Sequence, residues 1–352
     1  MEKERKNKKF NESLKVMARK ILILAMLSVI GFAYLQSQSK VGTTAAPFLG
    51  IAVGPRAIGM GGAFTAFAND VTALYWNPAG VSRLANNEIM VSHTEWIFGT
   101  SFDWIGVAVG IDRNNYVGVS ITRLDYGEDE VTTIDYPEGT GEKWDASDIA
   151  IGLSYARNLT DRFSVGGTVK FIQQKLWNER AIGFAIDVGV LFITEFKGLK
   201  LGASISNFGT EMRLDGKDLF VIYDPDPEHQ GNNSAISAKL KTDDWPLPLH
   251  FRVGASIDVF KTGSNYLTFA VDAIHPNDNT ESINLGFEYS FRNFLFLRAG
   301  YKSLFQKDSQ ERFTAGVGIS YKLGGIGFKF DYSYQDFGIL KNVQTFGLSI
   351  LF

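Results

Sequence analysis

The sequence predicts an all-β fold: a transmembrane antiparallel β-barrel of about 14 strands whose lumen is plugged by an N-terminal segment. Three observations predict it. Bulky apolar residues alternate with small or charged ones, with a period of two, from residue 88 to the end. Many of these runs reach about eight to eleven residues, as a tilted bilayer-crossing strand requires, whereas soluble strands cluster near five or six. The connections between runs, all but the first around Thr100, also sort by parity into short turns and longer loops, which a soluble fold has no reason to do.

The first 39 residues read as a signal peptide. Lys3, Arg5, Lys6, Lys8, Lys9, Lys15, Arg19 and Lys20 form a basic head, followed by an apolar run from Ile21 to Leu35. That run is short for a membrane-spanning helix and suits the core of an export signal, with cleavage near Ser37 or Ser39. An uncleaved inner-membrane anchor is the alternative. Removing residues 1–39 takes away eight of the 35 Lys and Arg and three of the 38 Asp and Glu, leaving 27 basic against 35 acidic side chains. That balance gives no reason to expect nucleic acid as a partner. The chain has no cysteine, which rules out disulfides, thiolate metal sites and a thiol nucleophile.

Residues 40–87 do not alternate and form the expected plug. They contain Arg56-Ala57-Ile58-Gly59-Met60-Gly61-Gly62-Ala63 and Trp76-Asn77-Pro78-Ala79-Gly80. The Gly-x-Gly-Gly run is not a phosphate loop, since no strand precedes it and no Lys-Ser/Thr completes it. Glycine here reads as permissive backbone passing close to other backbone. The plug positions singled out are Arg56, Gly59, Gly61, Gly62, Asn77, Pro78, Ala79 and Gly80.

The barrel occupies 88–352, with strands expected near 88–98, 102–111, 116–125, 147–158, 163–176, 183–194, 200–208, 248–259, 265–275, 282–290, 294–302, 313–322, 327–335 and 344–352. Typical faces are Phe328, Phe330, Tyr332 and Tyr334 against Lys329, Asp331, Ser333 and Gln335, or Ile283, Leu285, Phe287 and Tyr289 against Asn284, Gly286, Glu288 and Ser290. The proposed inward face is rich in small residues such as Gly166, Thr168, Gly202, Ser204, Gly254, Gly316 and Gly318. These cannot fill a lumen of this size, so another segment must. Short turns are expected at 112–115, 159–162, 195–199, 261–264, 292–293 and 323–326. Longer loops are expected at 126–146, 177–182, 209–247, 276–281, 303–312 and 336–343. With both termini periplasmic, the long loops face outward. In the last strand Phe346, Leu348, Ile350 and Phe352 form one apolar face. An ending of this kind resembles the assembly signal of bacterial outer-membrane barrels.

No chemistry-bearing constellation emerges, so no catalytic residue, cofactor or metal is expected. The four histidines share no ligand spacing, and no Gly-x-Ser-x-Gly is present. Asp224-Pro225-Asp226-Pro227-Glu228-His229 is too stiffened by proline for a calcium loop and reads as solvated. Aromatics near strand ends, among them Trp96, Phe98, Phe294 and Phe305, suit interfacial girdles. The loop 209–247 is long enough to be functional, and it carries Leu219, Phe220, Tyr223 and Trp245, apolar residues that a purely solvating loop does not need.

The stretches Thr43-Thr44-Ala45-Ala46-Pro47-Phe48-Leu49, Arg56 to Ala63 and Trp76 to Gly80 closely resemble the signature of the PorV/PorQ family, relatives of the FadL-type transporters. The resemblance implies a 14-stranded barrel with its N-terminal segment in the lumen, integral to the bacterial outer membrane. It further implies a non-enzymatic accessory role in type IX protein secretion, with a translocon and the C-terminal domains of exported cargo as partners. The alternatives are a FadL-like passive transporter of hydrophobic molecules and a scaffold for other envelope proteins.

Overall fold

The computed structural model describes residues 41–229, 235–306 and 309–352, so the expected signal peptide lies outside the described residues. Each expected alternating segment forms a strand. The first seven are β1 (Glu88–Glu95), β2 (Ser101–Gly110), β3 (Asn115–Glu130), β4 (Lys143–Asn158), β5 (Phe163–Leu176), β6 (Glu179–Ile193) and β7 (Lys200–Gly209). The remaining seven are β8 (His250–Thr262), β9 (Asn265–Pro276), β10 (Ser282–Phe291), β11 (Leu295–Leu304), β12 (Phe313–Leu323), β13 (Ile326–Asp336) and β14 (Asn342–Leu351). Every strand pairs antiparallel with its sequence neighbours, and β14 pairs with β1, from Leu351 opposite Glu88 to Gln344 opposite Glu95. The sheet therefore closes into a 14-strand barrel without an edge.

Period-two patterning decides which way each side chain points. Along β6, Ile182, Phe184, Ile186, Val188, Val190 and Phe192 are exposed, while Ala181, Ala185, Asp187 and Leu191 are buried. Along β13, Phe328 and Phe330 face outward while Asp331, Ser333 and Gln335 are buried inside. The exposed residues are the large apolar ones, the reverse of a soluble protein, because lipid takes the place of water outside the wall. From Ile182 to Phe192 the strand rises roughly 33 Å, or about 25 Å after tilting, which is the height of a membrane apolar band.

Two expectations about the connections need correction. Residues 177–182 do not form one of the longer loops: β5 ends at Leu176 as expected, but β6 begins already at Glu179, so only 177–178 join them, with Trp177 at φ 51°. The loop expected at 126–146 shrinks to 131–142, because β3 and β4 continue pairing past a register shift between Asp125 and Glu128. Both hairpins carry charged and polar residues in their extensions, which hid the strand pattern beyond the apolar band. As a result β3 to β6 stand taller than β1, β2 and β11 to β14. The turn 111–114 and the turns after β4, β6, β8, β10 and β12 all lie at one end of the barrel, and the 210–249 connection lies at the other.

Candidate functional site

Two features stand out at the level of side chains: what occupies the lumen, and what the longest loop builds. Residues 46–84 are almost entirely buried, with Phe48, Val53, Ala57, Met60, Phe64, Val71, Leu74 and Val81 all at or below 4% exposure. They run as short helical turns, Pro47–Gly50, Pro55–Gly59, Ala73–Trp76 and Pro78–Arg83, rather than one long helix. Prolines 47, 55 and 78 start three of these turns, where a missing N–H costs nothing.

The segment is hydrogen-bonded to the inward faces of strands around the ring. At the loop end the Ala45 N–H donates to the Pro246 carbonyl at 2.8 Å, and the Ala46 N–H to Gln174 at 2.8 Å. At the turn end Arg83 donates to Ser164 and to the Asp161 carbonyl, and Ser82 to Asn158. Between these, Asp272 Oδ2 on β9 accepts the N–H groups of Phe64 and Thr65 at 2.9 and 2.8 Å. Thr314 on β12 accepts the Gly61 N–H and donates to the Gly59 carbonyl.

Arg56 is the electrostatic centre. Its Nε and Nη2 hold Glu288 of β10 in a bidentate pair at 2.8 and 2.9 Å, while Nη1 reaches Asp70 and Asn69. Glu288 Oε2 also accepts from Arg298 Nε at 2.8 Å, and Arg298 Nη1 donates to Asp331 at 2.6 Å. A chain of alternating charges thus runs Asp70, Arg56, Glu288, Arg298, Asp331. The Arg56 guanidinium lies 4.7 Å from the ring centre of Phe67 and 5.4 Å from that of Phe64. Burial works against its charge, but Glu288 and Asp70 outweigh burial and hold its pKa well above the ordinary guanidinium value.

The other motif positions have defined geometry. Gly61 and Gly62 sit at φ +66° and +72°, where a side chain is strained, and their N–H groups bond Ile58, Thr314 and Ala57 rather than any anion. Gly59 lies against Gly316 of β12. Asn77 caps the turn that starts at Pro78: its Oδ1 accepts the Ala79 N–H, and its Nδ2 donates to the carbonyls of Thr65 and of Val190 on β6. A Cβ on Gly80 would stand 2.2 Å from the Ala68 carbonyl oxygen. Sequence reasoning missed the wall partners Asp272, Glu288, Arg298 and Asp331. Their signal was present as charges on inward faces made mostly of small or polar residues, but which charge meets which needs the barrel's register.

At the loop end, residues 210–249 leave the wall. Asp215 and Gly216 pair with Arg180 and Glu179 at the top of β6, and Met212 and Trp245 bridge at the loop's base. Beyond them Phe220–Tyr223 pairs with Ile236–Lys239 as a two-stranded hairpin that joins no other sheet among the described residues. Phe220, Ile222 and Tyr223 are 57%, 80% and 55% exposed. Leu219 is half-buried below them, while Trp245 belongs to the loop's base and not to the hairpin. In the last strand Phe346, Leu348 and Ile350 lie on the outward face and the Phe352 N–H donates to the Asn87 carbonyl. His93 pairs with Asp103 on the outer wall at 2.7 Å, His229 with Asp226, and His275 with Glu281, each an exposed pair. Among the described residues no cluster of His, Asp and Glu could hold a metal ion.

An all-next-neighbour barrel with a lipid-facing apolar wall defines a protein of the bacterial outer membrane. The family model described as type IX secretion system protein PorV matches residues 34–218, and the chain belongs to that family. No curated protein matches it. Among solved structures, the CymD monoaromatic hydrocarbon channel is 14% identical with a TM-score of 0.54, over 85% of this chain and 96% of that one. The Pseudomonas putida toluene transporter TodX is 12% identical with a TM-score of 0.53, over 85% and 97%. The Ralstonia pickettii toluene transporter TbuX is 12% identical with a TM-score of 0.50, also over 85% and 97%. At such identities the likeness speaks for the fold.

Proposed function

We propose that this barrel is an accessory of type IX secretion that docks beside a translocon and holds cargo C-terminal domains at the cell surface on its 209–247 loop. The observation that carries this reading is the hairpin Phe220–Tyr223 with Ile236–Lys239, which offers strand edges that pair with no other strand among the described residues, and exposed apolar side chains beyond the wall. An extended cargo strand can add to such an edge, with main-chain hydrogen bonds supplying affinity. Residues 41–87 act as a fixed plug, so surface capture rather than conduction is the role that suits the molecule. The likeness to hydrocarbon channels favours a passive transporter as the second reading. Against it, the cavity beside Leu49, Leu74, Tyr75, Trp104 and Lys170 is about 20 Å³, room for about one water and far below an ordinary ligand site.

Replacing 212–244 with a brief turn tests the docking role. The shortened protein is expected to assemble as a heat-modifiable barrel and to lose cargo retention at the surface. Secretion and retention at normal levels would remove this loop from consideration.

A further inference from the structure

We propose that the base of the hairpin is a recognition groove for an extended peptide segment alternating apolar and acidic side chains. This deepens the docking role and rests on it. A groove of about 180 Å³ between the two legs of the loop is lined by Leu214, Leu219 and Leu240, by the cations Arg213, Lys239 and Lys241 against the single carboxylate of Asp215, and by Thr242. The legs are fixed. The Leu240 N–H donates to the Leu219 carbonyl at 2.8 Å, Thr242 Oγ1 to the Leu214 carbonyl at 2.6 Å, and Lys239 pairs with Asp215. Asp215 and Gly216 are in turn tied to the top of β6, so the groove stands on the wall itself.

Its chemistry is two-sided. Leu214, Leu219 and Leu240 supply an apolar floor, and Leu240 is 55% exposed there. Arg213 and Lys241 supply positive charge beyond what Asp215 balances, since Asp215 is paired to Lys239 and only feels Arg213 at longer range. This is a basic island in a mostly acidic setting: Glu211, Asp218, Asp224, Asp226, Glu228, Asp243 and Asp244 outweigh Lys217 over the rest of the same loop. An acidic partner is therefore drawn to this spot and repelled elsewhere on the loop, which fixes where along the hairpin it settles.

The free edge just above completes the specification. A strand added to the hairpin presents alternate side chains to one face. A segment with apolar residues on that face covers the leucines, and flanking carboxylates reach Arg213 and Lys241. A basic or uncharged segment of the same apolar pattern gains the floor but not the charges.

The test uses the full barrel in detergent micelles and three fluorescent peptides: valine alternating with glutamate, and its glutamine and lysine twins. The glutamate peptide is expected to bind roughly tenfold more tightly than the glutamine twin, to weaken as salt is raised, and to leave the lysine twin without measurable binding. Arg213→Glu with Lys241→Glu should abolish the difference, and Arg213→Gln with Lys241→Gln should do so should the reversed pair not assemble. Equal binding of all three peptides, or indifference to both variants, overturns the groove. So does binding of anionic lipid A micelles at these residues with no binding of the peptide. Failure of the docking role is distinguishable: loop-shortened cells that retain cargo overturn docking, whatever the peptides do. Charge-neutral variants that keep both peptide binding and retention overturn only the groove.

Discussion

At the scale of residues, the lumen is held by charge placed where charge is costly. Glu288 is fully buried and Arg298 nearly so, and neither is tolerable alone in a low-dielectric interior. Arg56 is the partner that comes from the inner segment and joins the chain of charges to residues 41–87. Arg56→Ala leaves Glu288 with Arg298 alone, so a loss of about 3 kcal/mol is expected, the low end for breaking a buried pair. Glu288→Ala should cost more, because it brings two guanidiniums face to face while each keeps only its outer carboxylate, Asp70 or Asp331. Arg83→Ala, whose hydrogen bonds reach Ser164 and turn carbonyls near the barrel's end, should cost only about 1 kcal/mol. Urea midpoints of the detergent-solubilised barrel rank the three. A ranking with Arg83→Ala worst would show that the charge chain does not hold the segment.

At the scale of elements, wall and inner segment fit because glycines on one leave room for backbone on the other. A Cβ on Gly202 of β7 would lie 2.5 Å from the Thr65 carbonyl oxygen, and one on Gly300 of β11 would lie 2.1 Å from the Gly61 nitrogen. Neither neighbour can swing away as a flexible side chain does. Gly300→Val should therefore displace the segment. Planar-bilayer recordings are expected to show little stable conductance for the intact chain, more for Gly300→Val, and most when 41–87 is deleted. Large constitutive conductance of the intact chain would mark a porin instead. Much of this was legible in the residues. The small inward faces at Gly166, Gly202, Gly254 and Gly316 announced a lumen needing a filler, and alternation located every strand of the wall, though not the hairpin Phe220–Tyr223 with Ile236–Lys239 inside the expected loop 209–247. The extensions of β3, β4 and β6 were not legible, because the charged and polar residues they carry blur the period-two contrast. The pairing of Arg56 with Glu288 was not legible either, since it spans 232 residues of sequence and depends on the register of strands between them.

At the scale of the whole molecule, stability and assembly meet at the seam between β1 and β14, the last contact that can form during folding in chain order. Deleting Phe346 to Phe352 removes the partners of β1 from Glu88 to His93 and of β13 from Gly327 to Tyr332. Those backbone groups would then face lipid unpaired, at several kcal/mol each, so the ring cannot close in any medium. Phe352→Asp is a different experiment. The strand ladder ends at Leu351, so this change leaves every rung in place and alters only the terminal aromatic. Purified Phe352→Asp chain is expected to refold in detergent to a heat-modifiable barrel, yet in cells to accumulate misassembled or degraded in the periplasm. The deletion should fail in both settings. If Phe352→Asp reaches the outer membrane at the level of the unaltered chain, the terminal residue is not a recognition signal and closure alone explains the deletion.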